Sequence, residues 1–281
     1  MTHKSNYSPP KQASICYLYR LMRSGVTVLF LVAMLIILTN PSYVTADVLH
    51  DNGPMITGAG PNPGTDYYSE MTASGSVYGY SHQFTSGYRV ADDFTITSQE
   101  WNISEIQFYA YQPSSGTISP ITAVYLQIWN GRPGDVGSSV IWGDLTTNRM
   151  TSTSFTNIYR ISNATPNTNR PVMVQTVSVG TTLSTGTYWL DWMVDGSVSY
   201  TGPWANPVQY AGVNGKPGAN ARNYISSWGN VVDSGNGAAQ DFPFLIMGTS
   251  IIPTITEWSA IIIGVLLLIT GGWFISRKVL G

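Results

Sequence analysis

The side chains that could support acid–base catalysis are scattered along the middle of the chain, from Asp47 to Ser250. A Ser-His-Asp hydrolase needs a histidine held by a carboxylate. His82 could form this pair with Asp92 or Asp93, but the sequence contains no Gly-x-Ser-x-Gly nucleophile motif. A glycosidase instead needs two carboxylates about 5 to 10 Å apart, and the candidates are Glu70, Glu100, Glu105, Asp191 and Asp195. No catalytic residue is assigned, and an exported glycoside hydrolase is kept as an alternative.

Asp191 stands out among these carboxylates because it interrupts an aromatic run, YWLDW. In a β-strand, alternate residues point to the same face, so Asp191 should face the same way as Trp189 and Met193. The simplest interpretation is a carboxylate at a strand edge that binds a nearby arginine or a backbone donor.

Two acidic stretches raise the question of calcium, which prefers about six to eight oxygen ligands. They are ADDF, with Asp92 and Asp93, and DSGNGAAQD, with Asp233, Asn236 and Asp241. Because neighbouring strand residues point to opposite faces, we expect Asp92 to be buried with a partner and Asp93 to face solvent. The spacing does not fit an EF-hand loop. No metal ligand and no cofactor are therefore predicted, and a structural Ca²⁺ is kept as an alternative.

Aromatic residues are the best sequence indication of a binding role. Trp204 and Trp228 lie in stretches rich in Gly, Pro and Asn, which predicts loops. Loop aromatics can stack on sugar rings while polar neighbours bind the hydroxyl groups. Trp side chains also close the open ends of a β-sandwich, which is the other interpretation. A carbohydrate-binding module that recognises envelope polysaccharide is therefore a second hypothesis.

The elements that must position these side chains are β-strands. Apolar residues alternate with polar ones in ISEIQFYAY, from Ile103 to Tyr111, and in AVYLQIW, from Ala123 to Trp129. Similar short runs follow between Gly, Pro, Asn and Ser clusters, and no amphipathic helix interrupts them. This pattern predicts an all-β domain, an antiparallel β-sandwich of jelly-roll type. The runs RVADDFTI, VYLQIWNG and GTYWLDW resemble β-sandwich modules of exported bacterial surface proteins.

Composition agrees with export. The single cysteine, Cys16, lies in a predicted leader, so the mature chain would carry no disulfide. Between Asp47 and Ser250, seven cations face fourteen carboxylates, a net charge of −7. Such a domain repels a phosphate backbone, and no nucleic-acid partner is expected.

The amino-terminal segment has the organisation of a secretory signal peptide. An apolar run from Gly25 to Leu38 follows Arg20 and is too short to span a bilayer with ease. The small-residue sequence VTA then ends at Ala46, which predicts cleavage by signal peptidase before Asp47. Residues 1–46 therefore form the predicted signal peptide, and its length suggests that the true start is Met22. An uncleaved anchor is the alternative.

The carboxyl-terminal segment predicts a membrane-spanning helix from Ser259 to Ser276. A bilayer core of about 30 Å needs about 20 apolar residues in a helix. Arg277 and Lys278 follow the helix and mark its cytoplasmic end, so the chain before it lies on the far side of the inner membrane. A helix buried in a protein core is the alternative.

The residues before this helix carry a second resemblance. Ile252, Pro253, Thr254, Ile255, Thr256, Glu257 and Trp258 resemble the IPTL-CTERM sorting signal of Gram-negative bacteria, whose consensus reads I-P-T-L-S-E-W-G. The apolar helix and basic end follow in the family's order. The resemblance implies processing by a membrane-embedded, exosortase-like enzyme. An ordinary helix start, capped by Thr254 or Thr256, is the alternative.

Together these patterns predict three parts: a signal peptide at 1–46, an extracytoplasmic β-sandwich at 47–250, and an IPTL-CTERM-like sorting signal with its helix at 251–281. The expected function is that of a structural or adhesive protein of the cell envelope or surface. The precursor would cross the inner membrane once, with its carboxyl terminus in the cytoplasm. Signal peptidase, the sorting enzyme and the lipid bilayer are the expected partners. After processing, the domain would remain on the envelope or be secreted.

Overall fold

The computed structural model describes residues 46–162, 165–250, 259 and 261–267. Residues 46–250, apart from the gap, belong to one compact unit, Thr45–Ile252. Ser259 and residues 261–267 are helical and belong to a second unit. Within the described residues, no helix reaches the length and apolar character needed to cross a bilayer. The predicted span from Ser259 to Ser276 lies largely outside the described residues.

The compact unit is built from β-strands that form two sheets. The strands of the described chain are β1 Asp47–Asp51, β2 Gly58–Ala59, β3 Tyr67–Glu70, β4 Tyr80–Ser81, β5 Arg89–Ile96, β6 Trp101–Tyr111, β7 Ile121–Trp129, β8 Val140–Asp144, β9 Met150–Ile161, β10 Pro171–Leu183, β11 Gly186–Gly196, β12 Trp204–Ala205, β13 Arg222–Tyr224, β14 Trp228–Asn230 and β15 Leu245–Ser250. A short 3₁₀ turn, Phe84–Ser86, precedes β5.

The first sheet has the order β1-β15-β6-β10-β9-β3-β2, and β12 joins β6 to β4 at its side. The second sheet has the order β14-β13-β5-β11-β7-β8. The named strands pair antiparallel except β3 and β9, which run parallel. The predicted all-β class with antiparallel sheets is therefore confirmed, and the two sheets fit a β-sandwich.

Strand periodicity decides which side chains enter the space between the sheets. In β6 the alternating residues Ile106, Phe108 and Ala110 are fully buried. The corresponding residues of β7, such as Leu126 and Ile128, are also fully buried. The apolar alternation seen in both segments therefore marks the core face of each sheet, as expected for strands with one buried side.

Trp192 lies at the centre of the core. Its ring stacks on Phe108 of the first sheet, with 4.6 Å between the centroids. Phe242 and Phe244 meet the same ring edge-on at 5.8 and 6.4 Å. Aromatic pairs prefer these offset and edge-to-face arrangements. Trp192 thus joins β11 to the opposite sheet and to the chain segment before β15.

The loop between β7 and β8, residues 130–139, crosses the outer face of the second sheet. It reaches β13, where Arg222 donates to the carbonyl of Pro133 at 2.7 Å and pairs with Asp135 at 3.2 Å. Two strands, β11 and β5, separate β7 from β13, so this cross-sheet loop must pass over them. The guanidinium of Arg132 lies 5.6 Å above the ring of Trp189. The outer face of β11 is consequently buried as well.

Candidate functional sites

The predicted processing sites lie at the two ends of the compact unit. Ala46 is exposed, and β1 begins at Asp47, which pairs with Gly248 of β15. The sorting motif at 252–258 and the basic residues Arg277 and Lys278 lie outside the described residues.

Asp191 and its neighbours form a polar aromatic cluster on the outer face of the second sheet. Arg89 and the indole N–H of Trp129 both donate to Asp191 Oδ2, at 3.0 and 3.1 Å. The Arg89 guanidinium also stacks on Tyr224 and Trp228, at 4.4 and 5.0 Å from their ring centroids. We call these five residues the Asp191 cluster. It binds β14, β13, β5, β11 and β7 together across the sheet.

An arginine partner was expected for Asp191 and is confirmed, whereas the expected position at a strand edge is wrong. Arg89 is the predicted arginine, but β11 is an inner strand between β5 and β7. The carboxylate is fully buried because the cross-sheet loop covers this face. Burial raises the pKa of Asp191 to about 7, although Arg89 and the Trp129 indole act in the opposite direction.

Replacing Asp191 with asparagine should change how folding stability depends on pH. A raised pKa in the folded state contributes stability below the unfolded pKa, and that contribution is lost as the pH rises toward about 7. One pKa unit corresponds to about 1.4 kcal/mol. The wild type should therefore lose about 4 kcal/mol relative to Asp191→Asn between about pH 4 and pH 8. Urea unfolding at a series of pH values measures this difference.

The matched control is Gln127→Ala, since Gln127 lies opposite Asp191 in the β7–β11 ladder and has no titratable group. Its stability curve should run parallel to that of the wild type. Parallel curves for the wild type and Asp191→Asn would contradict the raised pKa.

Asp92 and Asp241, two of the acidic residues considered for calcium, belong to a network with a lysine. Asp92 is fully buried, as expected, and accepts from the side chain of Asn52 at 2.8 Å and the amide of Phe242 at 2.7 Å. Lys216 pairs with Asp241 at 3.1 Å and also donates to Asn52. Burial, with Asp241 nearby, raises the pKa of Asp92 well above its usual value. β13 pairs with β5 only as far as Ala91. The network holds the segment before β15 against the part of β5 that follows Ala91.

Asp233 is held elsewhere, since its carboxylate accepts from the amides of Ser76, Val77 and Gly235. Among the residues that the structure describes, no group of three or more His, Cys, Asp or Glu side chains could hold a metal ion. The calcium hypothesis therefore gains no set of ligands from these residues.

The pairing of His82 with Asp92 considered for a hydrolase is not formed among the described residues. His82 is fully buried, and burial lowers its pKa to about 3. Asp92 instead accepts hydrogen bonds from the side chain of Asn52 and from the amides of Phe242 and Asp93.

The five glycosidase candidates come from different parts of the sandwich. Glu70 and Glu105 belong to the first sheet, whereas Asp191 and Asp195 belong to the second. Glu100 accepts from the hydroxyl of Ser184 at 3.3 Å.

The two tryptophans proposed for sugar stacking differ in their surroundings. Both begin short strands, β12 and β14, and the prediction of loops is wrong for them. Trp228 packs edge-on against Tyr224, with 5.4 Å between the ring centroids, and the guanidinium of Arg89 lies over its ring. Other side chains of the protein therefore already cover this indole. Trp204 is half-buried and lines an open groove of about 370 Å³ with Tyr78, Tyr111 and Arg170.

Sequence reasoning missed the other residues of this groove. Tyr78 lies in SVYGY, Tyr111 ends β6 and Arg170 precedes β10, and no local pattern links these positions. Sheet pairing places Tyr111 opposite Trp204, since β12 pairs with the last two residues of β6. Comparison of the chain with protein-family models, with curated proteins and with solved structures finds no match to any of them.

Proposed function

We propose that this chain is an exported protein of the Gram-negative cell envelope, a structural or adhesive β-sandwich that is processed through a carboxyl-terminal sorting signal. The observation that carries the proposal is the position of the compact unit between the two processing signals. The unit Thr45–Ile252 begins beside the cleavage site before Asp47 and ends immediately before Pro253 of the sorting motif. The resemblance to the IPTL-CTERM signal covers about the last thirty residues of the chain, which follow this unit directly.

In this proposal, signal peptidase removes residues 1–46 and the helix from Ser259 to Ser276 holds the precursor in the inner membrane. Arg277 and Lys278 keep its carboxyl terminus in the cytoplasm. An exosortase-like enzyme then acts near the motif and leaves the domain on the envelope or outside the cell. The jelly-roll arrangement, with a signal helix before it and a transmembrane helix after it, belongs to the same proposal.

Mapping both ends of the protein recovered from its own host tests this proposal. We expect an amino terminus at Asp47 and the loss of peptides beyond the sorting motif. Pro253→Ala should slow removal of the tail by at least about tenfold, because Pro253 holds the chain extended before the helix. Pulse labelling and mass spectrometry measure both ends.

The matched control is Thr256→Ser, which introduces the residue of the family consensus and should be processed like the wild type. An intact Met1 or Met22 would show an uncleaved anchor. Complete retention of the tail in the wild type would remove the sorting step from the proposal.

Carbohydrate binding is the second candidate function, and the groove at Trp204 favours it. A half-buried indole beside two tyrosines offers a surface for the apolar face of a sugar ring. Envelope polysaccharide would be the partner, and adhesion and sugar binding are compatible roles for one exported domain.

A further inference from the structure

The groove at Trp204 is built from four separate stretches of the chain. Tyr78 lies in the segment before β4, Tyr111 ends β6, Arg170 precedes β10 and Trp204 begins β12. Gly79 lets the first of these stretches approach the others closely. A Cβ atom at Gly79 would lie 2.9 Å from both the carbonyl oxygen of Ala205 and the hydroxyl of Tyr111. The walls of the groove are therefore fixed by close packing and by the β4–β12–β6 pairing.

Arg170 supplies the groove with a positive charge. Its guanidinium lies 3.7 Å from the ring centroid of Tyr78. A guanidinium stacked on an aromatic ring keeps the N–H groups at its own edge available for hydrogen bonding. None of the ion pairs recorded among the described residues involves Arg170.

Arg160 places a second positive charge beneath the same walls. It is fully buried, and its guanidinium donates to the carbonyl oxygens of Tyr78 at 2.8 Å and Val77 at 3.2 Å. Carbonyl groups satisfy these donors but carry no net charge, so they do not neutralise the positive charge of Arg160. Burial lowers the pKa of Arg160 to about 10, and the neighbouring charge of Arg170 acts in the same direction.

Asp233 is a carboxylate whose charge raises the pKa of Arg160. The oxygens of Asp233 are already bound by the backbone amides of Ser76, Val77 and Gly235. Asp233 therefore balances the interior charge in part and leaves the guanidinium of Arg170 without a carboxylate.

We propose that this groove binds an acidic sugar, with its carboxylate on Arg170 and its ring face on Trp204. The ligand class follows from the combination of groups. A neutral sugar would leave the positive charge of the guanidinium unpaired, and a peptide of aspartate and glutamate offers no saturated ring for the indole. The proposal deepens the carbohydrate-binding candidate and rests on it.

Titration of the full chain in detergent micelles with trigalacturonate tests the proposal by calorimetry. The methyl ester of the same trisaccharide keeps the rings and loses the charges, so it should bind at least about tenfold more weakly. Acetate keeps the carboxylate and loses the ring, and it should show no binding at the same concentration. A methyl ester that binds as well as the acid, or acetate that binds as well as the trisaccharide, would overturn the assignment.

Two variants probe the two residues to which the ligand is assigned. Arg170→Gln and Trp204→Ala should each weaken binding of trigalacturonate at least about tenfold. The matched control is Arg149→Gln, because Arg149 also stacks on an aromatic ring, that of Trp142 at 4.5 Å, away from the groove. This control should bind like the wild type. Melting temperatures show whether each variant is folded, and Trp204→Ala keeps the test valid if Arg170→Gln is not.

Unchanged binding in both groove variants, or no binding of trigalacturonate to the wild type, would contradict the proposal. The titration uses purified protein and does not depend on where the chain resides in the cell. A failure of sugar binding would thus leave the proposed export and sorting intact. If export failed and the titration succeeded, the groove would still bind an acidic sugar, and only the envelope location would be lost.

Discussion

Replacing Trp192 with alanine is expected to lower the free energy of unfolding of the β-sandwich by about 3 to 5 kcal/mol. The side chain is almost fully buried and touches aromatic rings from both sides of the core, Phe108 in β6 and Phe242 and Phe244 before β15. Removing it takes away apolar burial and leaves a cavity that the two hydrogen-bonded sheets cannot close. Because a domain of this size is stable by only about 5 to 15 kcal/mol, the loss is a large share of the total.

Urea unfolding followed by circular dichroism measures this loss. Trp192→Phe keeps an aromatic ring in the same space and should cost less than the alanine variant, which keeps the test usable if Trp192→Ala does not fold. Val136→Ala is the control, since Val136 is completely exposed in the cross-sheet loop and should change stability by less than about 0.5 kcal/mol. A loss below about 1 kcal/mol for Trp192→Ala would contradict a core centred on this ring.

The strands could be predicted from the sequence because the alternation that marks a buried face lies within each strand. Alternation alone identified the buried faces of β6 and β7, where Phe108 and Leu126 are fully buried. The parity argument for Asp92 succeeded for the same reason. A side chain on the core face of a strand must find a partner there, and Asn52 and the amide of Phe242 provide it.

Long-range pairing could not be predicted in this way. Asp191 was expected at a strand edge, whereas the sheet order places β11 between two neighbours and the cross-sheet loop covers its outer face. Nothing in the residues around Asp191 indicates a cover supplied from residues 130–139. Alternation of apolar and polar residues identifies a strand with one buried face. It cannot identify a strand such as β11, in which both faces are buried.

The groove at Trp204 shows a second limit of sequence reasoning. Trp204 was selected as a loop aromatic, and the structure places it in a short strand beside the groove. Arg170 and Tyr78 were not selected, because their contact joins distant positions of the chain that no local pattern links. The charge balance of the domain, with seven cations against fourteen carboxylates, even directed attention away from a positively charged site.

The predictions for the two ends of the chain have a different basis. Signal and sorting segments are identified by composition, order and a short motif, which are properties of the chain before it folds. Apart from Ala46 and Asp47, their residues fall almost entirely outside the described ranges. They remain predictions, and their test is the position of the folded domain relative to the membrane.

Alkaline phosphatase fused after Ser250, with residues 1–46 intact, should be strongly active in a Gram-negative host. This enzyme needs disulfides that form outside the cytoplasm, so its activity reports export almost as an all-or-none signal. The same fusion without residues 1–46 is the control and should be inactive. A fusion after Gly281 of the tail variant Pro253→Ala should also be inactive, since Arg277 and Lys278 keep that end in the cytoplasm.

Phosphatase activity of the Ser250 fusion is thus the measurement on which the proposed export depends. High activity that requires residues 1–46 would place the β-sandwich beyond the inner membrane, as we propose. An inactive phosphatase together with a fluorescent cytosolic reporter at the same position would contradict the proposed orientation, and with it the envelope location and the sorting step.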